Sequence, residues 1–112
     1  MEFKPYKVDG FLTDWYKIHQ YPLTGSIHTI YNHKNGNPPH ILYEKEYEVG
    51  KPPIYDNMAV ISTETGEVLH NGHILTEHEK TTLAQFVADN REILLEYWET
   101  YCSDELCDRI KI

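Results

Sequence analysis

Seven histidines in 112 residues are the side chains best suited to chemistry in this sequence. Imidazole titrates near neutral pH and ligates zinc, so closely spaced histidines invite a metal or acid–base reading. His33 and His40 flank the segment "HKNGNPPH". If residues 34–39 form the loop of a hairpin, the two stand directly opposite, with Cβ atoms about 4.5–5.5 Å apart. If Asn35-Gly36 is instead a two-residue turn, His40 faces Tyr31 and the pair is split. Zinc needs further ligands, commonly three or four protein groups in all, and no spacing here supplies them. Histidines of a turn and a strand edge are the simpler account.

His70, His73, His78 and Glu79 form the second cluster. His70-Asn71-Gly72-His73 could bring two rings together across a turn, and His78 falls in the first turn of a helix. There the dipole disfavours imidazolium and leaves a neutral ligand or base. The order His-Glu-x-x-His of a helical zinc hydrolase is absent, and a polar loop leading into a helix explains the cluster more simply. Nucleophilic catalysis has less support. Cys102 and Cys107 sit beside Asp104, Glu105 and Asp108, whose charge opposes the thiolate. Neither a Gly-x-Ser-x-Gly elbow nor a Gly-rich phosphate loop is present. No cofactor is expected. A histidine-dependent or metal-assisted hydrolase or nuclease is thus an alternative reading, with His33, His40, His70, His73 and His78 as its candidate residues.

Recognition is the leading reading. Ile41, Tyr43, Tyr47 and Val49 alternate with Leu42, Glu44, Glu46 and Glu48, which reads as a half-buried antiparallel strand with a carboxylate face. The glutamates would project about 6.5–7 Å apart and form a docking ladder for Lys and Arg of a partner. Ahead of them, Asn37, Pro38, Pro39 and His40 read as a stiff turn presenting Asn37 and His40. The chain has eighteen Asp and Glu against ten Lys and Arg, a net charge of −8. That argues against the basic stripe that wrapping nucleic-acid phosphates requires. It suits a basic protein partner, or a third reading as an acidic nucleic-acid mimic that inhibits a basic protein.

The elements that must position these residues are legible in outline. "DGFLTDWYKIHQY" spaces Phe11, Leu12, Trp15, Tyr16 and His19 as a short helix near 11–19, within an otherwise irregular stretch 1–25. Strands are expected at 26–33, 41–49, 58–63 and 66–70, in two hairpins, with Gly66 at a left-handed bulge position. Thr76 and Glu79 form a capping box. The helical segment 76–103 carries Leu83, Phe86, Val87, Leu94, Tyr97, Trp98 and Tyr101 on one stripe, with a kink or break expected near Asp89-Asn90. Residues 104–112 read as a tail. The whole is expected to be one α+β domain, a small antiparallel sheet of about four strands packed against a C-terminal amphipathic helix.

No stretch approaches the roughly 20 apolar residues of a membrane span. Cys102 and Cys107, five apart, lie on different faces of a helix, which suits reduced thiols and a cytoplasmic setting.

Three segments together resemble a known family. Asn37-Pro38-Pro39-His40, the "ISTETGEVL" hairpin, and Asn90-Arg91-Glu92 leading to Leu95 and Trp98 are similar, in order and spacing, to the small bacterial proteins grouped as domain of unknown function 4160. The likeness covers roughly residues 26–101. It implies a small cytoplasmic protein without an established activity, in a toxin–antitoxin-like or defence-related pair with a second small protein. The family often has a second histidine two positions after Pro-Pro-His; here that position is Leu42.

Overall fold

The computed structural model describes residues 12–18, 20–30, 37–45, 58–100 and 109–110. Five strands follow one another as an antiparallel meander in the order β1-β2-β3-β4-β5. They are β1 (Leu12–Lys17), β2 (Ser26–Ile30), β3 (His40–Glu44), β4 (Met58–Ser62) and β5 (Val68–His70). A 3₁₀ turn at Gly72–Ile74 leads into one helix, α1 (Glu77–Thr100). The expected α+β arrangement of sheet and C-terminal helix is what the chain adopts.

Two expectations are corrected. Residues 12–17 are not helical: they form β1, which pairs with β2 from Leu12↔Ile30 to Lys17↔Ser26. A pattern that fits a helical stripe is overridden here by sheet pairing. With β1 added to the strands expected from residue 26 onward, the sheet has five strands. Nor does the helix break at Asp89-Asn90: α1 is one continuous helix through both residues. Asn90 does not start a new helix; its Nδ2 donates to the Phe86 carbonyl one turn back, at 2.9 Å.

The three inner strands are buried at every position. One sheet face presents Ile27, Ile41, Tyr43, Ala59 and Ile61 to Leu83, Phe86, Val87, Leu94 and Tyr97 of α1, and Ile18, Leu75 and Ile110 join the same cluster. The opposite face carries Leu42, Met58 and Val60, which cluster with Ile30 and Trp98. Trp98 is therefore interior, 7% exposed. Burial on both faces is why β3 does not behave as a half-buried strand.

Local chemistry sets the ends of the elements. Gly66 has φ +79°, the left-handed conformation expected of it. The capping box forms in full: Glu79 N–H donates to Thr76 Oγ1 at 3.1 Å and Thr76 N–H to Glu79 Oε1 at 2.8 Å. Lys45 extends this lock to the sheet, donating to Ile74 O at 2.8 Å and pairing with Glu79 at 3.1 Å. Burial acts to raise the Glu79 carboxyl, but the Thr76 and Lys45 contacts outweigh it and hold the group below its ordinary value. Thr76→Ala is expected to cost about 1 kcal/mol, seen as a lower urea midpoint at unchanged slope. Thr76→Ser should restore it, and an unmoved midpoint in the alanine variant would show the box to be dispensable.

Candidate functional site

The turn that begins β3 is built into the scaffold. Pro39 O accepts the Thr63 N–H at 3.0 Å, which ties the turn to the end of β4. His40 Nδ1 donates to Pro38 O at 2.8 Å, and because a carbonyl can only accept, the hydrogen sits on Nδ1. The His40 ring packs on Trp98 with centroids 5.1 Å apart. Asn37 and His40 are 7% and 1% exposed, so the turn does not present them; Pro38 and Pro39 are the half-buried members. This corrects the expectation of an outward-facing recognition pair.

Of the expected carboxylate ladder, Glu44 is corrected in the same way. Glu44 is 2% exposed, and β3 ends at it. On the face opposite the helix, His28 Nε2 donates to Glu44 Oε1 at 3.1 Å. The register sets His28 opposite Leu42, so Glu44 is its diagonal neighbour, within reach of a ring and a long acid. Burial pushes His28 down to about 4, so at neutral pH the ring is uncharged. His28 is the residue that reading along the chain missed. Its signal was the alternation in "SIHTI", which puts Ser26, His28 and Ile30 on one face. Glu46 and Glu48 lie outside the described residues.

Neither proposed register for His33 and His40 is the one adopted. Thr29 pairs with Ile41, which puts His40 level with Ile30. His33 itself, the Asn35-Gly36 turn, His19, Tyr101, Cys102 and Cys107 lie outside the described residues. His70 closes β5, His73 lies in the 3₁₀ turn and His78 is exposed in the first turn of α1. Among the described residues, no group of three or more His, Cys, Asp or Glu side chains is placed to hold a metal.

Two hollows are described. An open groove of about 630 Å³ follows β5 and is lined by Gly66, Glu67, Leu69, His70 and Lys80, among others. Its usefulness for adding a strand is small. β5 has only three residues, Leu69 is an extra residue between Val60↔His70 and Ile61↔Val68, and Asn71 turns the chain at φ 59°. A smaller hollow of about 140 Å³ is lined by Asp89, Asn90, Glu92, Ile93 and Arg109. There Tyr21 Oη donates to Asp89 at 2.6 Å; burial, with Asp89 adding to it, pushes that phenol up to about 12.

The solvent side of α1 carries the acidity that β3 does not. Asp89, Glu92 and Glu99 are exposed, and half-buried Glu96 pairs with Arg109 at 3.0 Å. Steps of three and four residues place these four on one helical ridge, about 15 Å long. On the adjoining flank stands Arg91, half-buried, with its Nε buried and without a hydrogen-bond partner. Among the described residues no helix is long and apolar enough to cross a membrane. No protein-family model, curated protein or solved structure matches the chain.

Proposed function

We propose that the chain is a protein-interaction module without catalytic activity, one component of a bacterial toxin–antitoxin-like or defence-related pair. The observation that carries this reading is the sorting of its polar groups. His28, Glu44 and His40 are committed to the interior, where they hold strands and helix together. Asp89, Glu92 and Glu99 stand exposed in a row on the outer ridge of α1, apart from the exposed Glu64, Glu67 and Glu77 at the β4–β5 turn and the helix start. A rigid helix displaying Asp89, Glu92 and Glu99 suits a partner with Lys or Arg at matching spacing. Such exposed charges act mainly on encounter rate and selectivity. The likeness of the Asn-Pro-Pro-His and Asn-Arg-Glu…Trp segments to domain of unknown function 4160 supports the pairing with a second small protein. Contact through the acidic ridge takes over the role first expected of the β3 glutamates.

The test is co-elution. The tagged chain is expressed in its bacterial host, and any partner is identified and then titrated against wild type and the Glu92→Lys/Glu99→Lys double variant. The double variant is expected to bind about tenfold more weakly, with the deficit shrinking as salt rises. Equal affinity at low salt removes the ridge from the interface. A purified chain that hydrolyses a nucleic acid or ester, and loses that activity on His70→Ala or His78→Ala, would overturn the reading as a whole.

A further inference from the structure

We propose that the flank of α1 formed by Ala88, Arg91 and Leu95 docks a segment of the partner protein that brings one carboxylate to the Arg91 guanidinium. This rests on the interaction-module reading and specifies its contact.

The inference starts from a cation without an anion in a chain rich in acids. Among the described residues, Lys17 donates to Thr24 O, Lys45 pairs with Glu79, Lys80 with Glu77 and Arg109 with Glu96. Among the described residues Arg91 has no such partner, and its Nε is shut away from solvent without a hydrogen bond. The cause is in the sequence. A helical arginine finds its usual partner three or four residues away. For Arg91 those positions are Val87, Ala88, Leu94 and Leu95, all apolar, although the same helix carries six Asp and Glu residues elsewhere.

Its surroundings are those of a contact anchor. Ala88, one turn before Arg91, is exposed and Leu95, one turn after it, is half-buried, so the stripe is smooth and apolar on both sides of the guanidinium, and beyond Ala88 it ends where Gly66 packs on Ala84. Small residues let another backbone approach and keep water from the pair, and a partly desolvated arginine then binds a carboxylate through two parallel hydrogen bonds. A polyanion is a poor fit, because Asp89, Glu92 and Glu99 border the stripe and would repel it. A single carboxylate on an otherwise neutral or basic segment satisfies both flanks.

The chain contains two arginines, so its side-chain Nε–H spectrum offers Arg91 as the probe and Arg109, already paired with Glu96, as the internal control. Acetate is added at constant ionic strength, with chloride as the balance. A saturable shift of the Arg91 signal with Arg109 unmoved is expected. Equal drift of both, or no movement, overturns the proposal. A shift with inorganic phosphate but none with acetate overturns the carboxylate assignment. Ala88→Glu, at an exposed position one turn before Arg91, should supply the missing carboxylate within the chain and abolish the acetate response. Against the partner identified by co-elution, Arg91→Glu should weaken binding about thirtyfold. Unchanged affinity removes the stripe from the interface. These outcomes separate from failure of the module reading, since the acetate arm needs no partner and the lysine double variant leaves Arg91 intact.

Discussion

Replacing Gly25 by alanine is expected to cost about 3 kcal/mol or more, among the largest losses available to one methyl group. A Cβ at this position would lie 2.5 and 2.7 Å from Tyr43 Cζ and Cε1, and closer still to the Glu44 carbonyl oxygen. Neither can retreat. Glu44 is held between Ser26 and Met58 in the middle of the sheet, and the Tyr43 ring is fully buried. The close approach is also used, because Gly25 N–H donates to the Tyr43 hydroxyl at 3.0 Å. Burial raises the Tyr43 phenol above its ordinary value, so the hydroxyl stays intact as acceptor. Gly72→Ala is the control. Its Cβ would meet Val68 Cγ1 at 3.2 Å, a contact with the end of a side chain, and should cost under about 1 kcal/mol. Urea midpoints of the two variants decide the matter. Equal midpoints would show that the Tyr43–Glu44 wall gives way.

Acid is expected to destabilise the protein through His28. The ring titrates at about 4 in the fold against an ordinary value of 6.5, because burial disfavours the imidazolium. Between those values the unfolded chain binds a proton that the folded chain refuses, so stability falls as pH falls. The contribution is intact above pH 6.5 and lost by about pH 4. A shift of that size corresponds to about 3 kcal/mol. The measurement is unfolding free energy in urea at steps across this window, for wild type and His28→Gln. The variant has no group to titrate there and should show a flatter slope, whatever its stability at neutral pH. Parallel slopes would mean that His28 takes up its proton in the folded state.

What could be read along the chain was the chemistry that closes within a few residues. Thr76 and Glu79 bond each other three positions apart, Gly66 adopts the left-handed turn its neighbours require, and the stripe from Leu83 to Trp98 faces the core. What could not be read depends on strand register. Glu44 looks like a surface acid until His28, sixteen positions away, is set diagonally across from it. His40 looked like a partner for Tyr31 or His33 because only turn chemistry was visible; the actual pairing brings it level with Ile30 and onto Trp98. β1 was misread because Leu12, Trp15 and Tyr16 satisfy a helical period, and only β2 beside them decides otherwise. Arg91 was visible as part of a motif. Its significance lay in what its neighbours three and four positions away lack.

The placement of irregularities in the sheet has a consequence for behaviour at high concentration. Register slips occur in the two outermost pairings, at Leu12/Asp14 in β1 and at Leu69 in β5, whereas the two inner pairings run without interruption. A long unbroken margin would be a seed on which copies could stack into fibrils. With a jog at either boundary, each molecule is a poor template for the next, and a small strand-rich protein can accumulate in a crowded cell without polymerising.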